Sequence, residues 1–265
     1  NTVDSIVVGN FIGKGALAAV GASFPIIFLL VALVMGITMG STIIIAQYYG
    51  ARDMEKVKKA IHTTYIYSFW AGLAGSIIGF VLSRPLLLLL KTPEDIMPQA
   101  VIYLHIIFVG MLFSFGYNMI SAILRGLGDS KTPLFFLIIA TLVNIVLDLL
   151  FVVVFHWGVA GAAWATIIAQ GVSFFGGMIY LNRKHELFAF KLSDIRFDPE
   201  IFKLSIRIGF PSGIQQMLVA AGNMALLRIV NIFGTDTVAA YTAATRIDTF
   251  ASMPAMNLSQ ALSTF

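Results

Sequence analysis

Residues 133–155 read PLFFLIIATLVNIVLDLLFVVVF, and the stretch holds one charged side chain, Asp148. About 20 mainly apolar residues in a helix cross the roughly 30 Å of hydrocarbon in a bilayer, so this run predicts a membrane span. Its polar side chains are not scattered. Thr141, Asn144 and Asp148 stand at i, i+3 and i+7, on one face of a helix otherwise built from Leu, Ile, Val and Phe. A stripe of that kind faces protein or water rather than lipid. An acid in hydrocarbon costs about 2.5 to 3.5 kcal/mol on insertion scales and tends to mark an ion or substrate path. Burial penalises the charged form of a carboxyl group, which suits a side chain that takes up and releases a proton. The competing reading of Asp148 is a hydrogen bond that holds two helices together.

The rest of the chain has the same character. Hydrophobic residues make up 58% of the 265 positions and charged residues 11%, with a mean hydropathy of +0.91. Ordinary soluble domains are about a quarter charged, and no single soluble core of this size hides so much apolar surface. Charged punctuation predicts a partial first span at 1–12. Full spans follow at 17–48, 60–83, 100–124, 133–155, 159–181 and 201–233, and an eighth runs from 237 to the end. Pro25, Gly36 and Gly40 permit a bend in the long second span, as Pro211 and Pro254 do in the seventh and eighth. The opening at Asn1 lacks a charged start and a cleavage site, so no signal peptide is expected.

Lys and Arg residues test this division. With the first span running outward, the inner loops hold Arg52, Lys56, Lys58, Lys59, Arg125, Lys131, Arg183, Lys184, Lys191, Arg196, Lys203 and Arg207, and the outer loops hold Lys14, Arg84 and Lys91. Loops that keep positive charge face the cytoplasm, so the amino end and the basic loop 182–200 are expected there. The net charge of +4 is therefore a membrane-topology signal, and no nucleic-acid partner is expected.

A shift of 221 residues lays NFIGKGALAAVGA (10–22) over NIFGTDTVAAYTA (231–243). Six spans separate the copies, so both run the same way through the bilayer, as in transporters built from two parallel repeats. The expected organisation is a six-helix lobe at 1–181, a connecting loop at 182–200 and the start of a second lobe at 201–265, cut short after two helices. A fragment truncated at both ends is expected.

Few other charges fall inside spans. Asp4 lies in the first, Arg246 and Asp248 in the eighth as a candidate ion pair, and Arg228 is placed to reach the outer surface. The loop LRGLGDSKTP (124–133) offers Gly126 and Gly128 for tight backbone turns and Pro133 for a helix start. GARDMEKVKKA (50–60) reads as a solvated helix start. No phosphate-cradling Gly-Lys-Ser/Thr run occurs. His62, His105, His156 and His185 are too dispersed for a metal site, and cysteine is absent. An enzyme and a cofactor are not expected.

TVDSIVVGNFIGKGALAAVG, AQYYGARDMEKVKKA, LRGLGDSKTP, NIVLDLLFVVVFHWGVAGAAWATIIAQ, IGFPSG and AAYTAATRIDTFASMPAMNLSQALSTF, in this order and spacing, resemble the multidrug and toxic compound extrusion (MATE) family. The resemblance implies an all-α polytopic membrane protein of two six-helix lobes. Such proteins export organic, often cationic, compounds from the plasma membrane by alternating access, in exchange for H+ or Na+. In the DinF-like branch it implies a cation-coupling cluster at Asp4, Tyr103, Asn144, Asp148 and Thr166. Asn144 and Asp148 also lie on the polar face that periodicity singles out, whereas Tyr103 and Thr166 rest on the resemblance. Na+ is a candidate ligand of Asp4, Asn144, Asp148 and Thr166. Arg246 and Asp248 form a candidate polar site in the second lobe, although nothing acidic lies between Glu200 and Asp236 to match the NorM-like branch. The partners expected are small organic substrates and the lipid bilayer, around a monomer. The alternatives are a lipid-linked oligosaccharide flippase of the same superfamily and a membrane subunit that does not transport.

Overall fold

The computed structural model describes residues 2–90, 92–184 and 196–230, together with positions 248, 251, 252, 254, 255 and 258. Among the described residues every regular element is helical: α1 (Thr2–Phe11), α2 (Lys14–Gly50), α3 (Met54–Leu89), α4 (Met97–Val109), α5 (Met111–Gly126), α6 (Lys131–Asp148), α7 (Gly158–Lys184) and α8 (Pro199–Val230). α6 continues as a π-helical segment, Leu149–Val154. Each expected span from the first to the seventh has its helix. The eighth, from 237, and the second copy of the repeat, 231–243, fall largely or wholly outside the described residues.

Local chemistry starts these helices. Three of them leave the basic face of the bundle, and an aspartate stands at the head of each. The Lys56 amide donates to Asp53 at 3.1 Å, the Thr132 amide to Asp129 at 3.0 Å, and the Glu200 and Ile201 amides to Asp198 at 3.0 and 3.1 Å. Each carboxylate satisfies first-turn N–H groups that have no partner within the helix, and Pro199 takes the first helical position, where a missing N–H costs nothing. The Asp53 carboxyl lies below its ordinary range because the Lys56 amide and ammonium both donate to it.

Four helices among the described residues are long and apolar enough to cross a membrane: Lys14–Gly50, Met54–Leu89, Lys131–Val154 and Gly158–Lys184. α4 and α5 are together long and apolar enough for a fifth crossing, and they meet at 47°. A side chain on Gly110, at the break, would run into Ile167 of α7 at 2.2 Å. The expected bend of the second span is not seen as a break, since Lys14–Gly50 is one helix of 37 residues with Pro25 inside it. α1 has ten residues, short of a crossing, and α8, with Gln215, Gln216 and Asn223 along it, is less apolar than the four.

Lipid is the environment that this exterior fits. On α6 alone Leu134, Phe135, Leu137, Ile138, Leu142 and Val146 are exposed, a patch that water would penalise. Inside, one apolar cluster near the basic face joins Ile44, Ile45, Ile61, Ile120, Ile123, Leu124, Leu181 and Ile201. A second, towards the opposite face, packs Leu87, Leu104, Phe108 and Phe115 around Ala19 and Ile26. The third holds Val7, Val8, Tyr103, Val152, Ala162 and Ala163. Polar groups between helices bond to main chain, as in Ser173 Oγ to the Phe136 carbonyl at 2.8 Å and Tyr117 Oη to the Pro133 carbonyl at 2.9 Å. Hydrocarbon offers such groups no other partner.

Candidate functional site

The third apolar cluster encloses polar atoms from four helices. Asp4 on α1 and Asp148 at the end of α6 are both fully buried, Tyr103 on α4 is 4% exposed and Asn144 on α6 is 9% exposed. Thr166 of α7 reaches the same place, and small residues make the approach possible: Ala162 and Ala163 are fully buried. A Cβ on Gly161 would meet the Phe151 Cβ at 3.0 Å.

The hydrogen bonds run across the helices. Asn144 Nδ2 lies 3.5 Å from Thr166 Oγ1, and Thr166 Oγ1 donates either to Asp4 Oδ2 at 3.0 Å or to the Ala162 carbonyl at 3.1 Å. The hydroxyl thus accepts from the amide and donates to the acid. The carboxyl groups of Asp4 and Asp148 face each other, and Tyr103 lies beside both. Among the described residues no N–H donor reaches either oxygen of Asp148. Buried acceptors left in this way are uncommon and call for an explanation. Two apposed acids in a low-dielectric interior carry a charge that a proton or a small cation has to offset. Oxygen ligands of this hardness suit H+ or an alkali cation better than a transition metal. Among the described residues no group of three His, Cys, Asp or Glu side chains could hold a metal ion.

All five residues expected in the coupling cluster come together here. Thr141, the third member of the helix stripe, does not join them: it is exposed, and its hydroxyl donates to the Leu137 carbonyl at 2.8 Å. It lies nearly two turns below Asp148, so it shares the azimuth of the site but not its depth. Arg246 lies outside the described residues, and Asp248 is described only as helical and exposed. Nothing in LLFVVV foretells the π segment that starts directly after Asp148. π turns interrupt helices mostly at functional positions.

Residues 1–150 match the MatE protein family. The chain belongs to the MatE family. Among curated MatE relatives, Probable multidrug resistance protein YpnP of Bacillus subtilis is 39% identical over 254 residues, 96% of this chain and 57% of its own length. Probable multidrug resistance protein YoeA, also of Bacillus subtilis, is 36% identical over 99% of this chain and 58% of its own. A solved structure of MATE in the bent conformation superposes with a TM-score of 0.91 at 29% identity, covering 99% of this chain and 59% of that one. A MOP superfamily transporter from Pyrococcus furiosus gives 0.89 at 29% identity and 59% of its chain. The MatE chain thus spans about 57% of the length of the curated relatives that it matches.

Proposed function

We propose that the protein containing this chain is a secondary active multidrug antiporter of the plasma membrane, amino end in the cytoplasm, exporting organic, often cationic, compounds in exchange for H+ or Na+. The observation that carries the reading is Asp148, buried against Asp4 with no N–H donor on either oxygen among the described residues, while the surrounding polar groups are arranged around the pair. Membership in a transporter family and the names of the relatives support export as the activity.

The coupling ion enters the space between the two carboxyl groups, with Asn144, Thr166 and Tyr103 as further oxygen ligands or hydrogen-bond partners. Binding there neutralises the pair and changes what α1, α6 and α7 require of one another. A coupling ion does work only if it binds the two access states unequally, and a site shared by four helices can do so. Residues 1–181 act as one lobe and 201–265 as the start of the second, joined by 182–200.

The test uses the full-length protein in everted vesicles. A cationic dye is expected to accumulate when a proton or sodium gradient is imposed, and Asp148→Asn to uncouple it. Full gradient-driven accumulation by that variant would remove the assignment.

A further inference from the structure

The expected bend at Gly36 and Gly40 is instead a helix crossing. A Cβ on Gly36 would fall 2.2 Å from Gly213 Cα, one on Gly40 would fall 2.3 Å from the Ser205 carbonyl oxygen, and one on Gly209 would fall 2.4 Å from the Gly36 carbonyl oxygen. Main chain meets main chain, so none of these positions admits a side chain without moving a helix. The sequences match the geometry: GITMG (36–40) on α2 and GFPSG (209–213) on α8 both space glycines four apart, the arrangement that lets membrane helices touch backbones.

The contact has a direction. From the crossing towards the basic face, the α8 stripe Gly213, Gly209, Ser205 and Ile201 stays buried. Phe202 packs against Tyr67 with the rings tilted at 51° and 5.8 Å between centroids, and the Asp198 amide donates to Thr63 Oγ1 at 3.0 Å. Away from that face the two helices part company. Ala221 and Gly222 are exposed, as are Phe24 and Phe28 on α2, and a Cβ on Gly222 would meet nothing. Gly40 lies ten residues from Gly50 and Gly209 ten from Pro199, about 15 Å at 1.5 Å per residue, so the crossing sits inside the membrane towards the basic side.

We propose that the Gly36–Gly40/Gly209–Gly213 crossing, with its extension through Ser205 and Thr63–Asp198, is the cytoplasmic seal of the cleft between the two lobes, and that it parts when the cleft opens inward. This rests on the transporter reading above. Bare backbone surfaces suit the task, because they close tightly and separate without any interlocked side chain having to leave a pocket.

Two arms test it on the full-length protein. In the first, a Thr63→Cys/Asp198→Cys pair is cross-linked across the seal; the 265 residues contain no cysteine, so the pair is unique within them. Transport by the reduced pair and its loss after cross-linking, restored by reductant, is the expected result. A fully cross-linked protein that transports at the reduced rate overturns the proposal. In the second, Ser205→Cys reports access from the cytoplasm to an impermeant maleimide. Adding Gly40→Leu is expected to raise its labelling rate about tenfold, because overpacking a tight contact shifts a two-state balance by at least that much. Unchanged labelling in a monodisperse Gly40→Leu protein overturns the proposal as well. The labelling arm needs no substrate, so a parent protein that fails to transport removes the efflux reading without touching this one.

Discussion

α6 begins beside one aspartate and ends on another, and the two are treated in opposite ways. Asp129, just before the helix on the basic face, accepts from the Thr132 amide at 3.0 Å and hydroxyl at 2.7 Å, from Tyr180 at 3.2 Å and from Lys184 at 3.3 Å. Burial alone would lift its carboxyl, but the Thr132 donors and the Lys184 ammonium outweigh that and bring it from 3.8 to about 2. Asp148, inside the membrane, has Asp4 for a neighbour and, among the described residues, no N–H donor on either oxygen. A fully satisfied acid holds structure together, whereas a buried acid facing a second acid is the one that the proposed coupling role requires. Sequence alone shows two aspartates nineteen residues apart; only their surroundings separate the paired acid from the one apposed to another acid.

The contrast breaks most sharply by removing charge at each end. Asp148→Asn is expected to bring gradient-driven export to background while leaving the melting temperature unchanged or raised, since a neutral amide replaces a buried acid apposed to Asp4. A loss of folded protein, read by thermal melting and size-exclusion profile, would make Asp148 structural and merge the two cases. Asp129→Asn should do the reverse: its amide oxygen can still accept from Thr132, but the charge that strengthens the Thr132 and Lys184 contacts is gone, which lowers stability by about 1 kcal/mol, with export per folded molecule retained. Acid should expose the same difference. A carboxyl held below its unfolded value contributes stability above pH 3.8 and loses it as pH falls towards 2, so melting temperature should drop across that window in the parent and less steeply in Asp129→Asn.

Smaller effects sharpen the comparison. Thr166→Val deletes the donor to Asp4 and is expected to weaken the dependence on coupling ion by about tenfold, the effect of one hydrogen bond to a charged group. Thr166→Ser should restore it, and an ion titration of transport would read both. Lys184→Gln removes only the exposed end of the Asp129 network, so its fall in melting temperature should be the smallest, below that of Asp129→Asn.

Much of this architecture is legible in the residues themselves. Charge punctuation locates the helices because lipid tolerates few charges, and the shared face of Asn144 and Asp148 follows from periodicity. The same periodicity misplaces Thr141, because it fixes azimuth and ignores depth. Tyr103 and Thr166 carry no signal of their own; an uncharged residue becomes part of a site only through its neighbours, and here the family resemblance supplies them. GITMG and GFPSG are each visible in the sequence, yet nothing local says that glycines 36 and 209 meet. The Arg246–Asp248 pair and the second repeat lie largely beyond the described residues.

Ile167 follows Thr166 directly on α7, and its side chain occupies the notch left by Gly110 at the elbow between α4 and α5. Tyr103 sits less than two turns below that elbow on α4. Thr166 and the elbow are therefore joined through one peptide unit: a rotation of α7 that carried the threonine away from Asp4 would press the isoleucine against the kink, and straightening the kink would press back on α7 at the threonine.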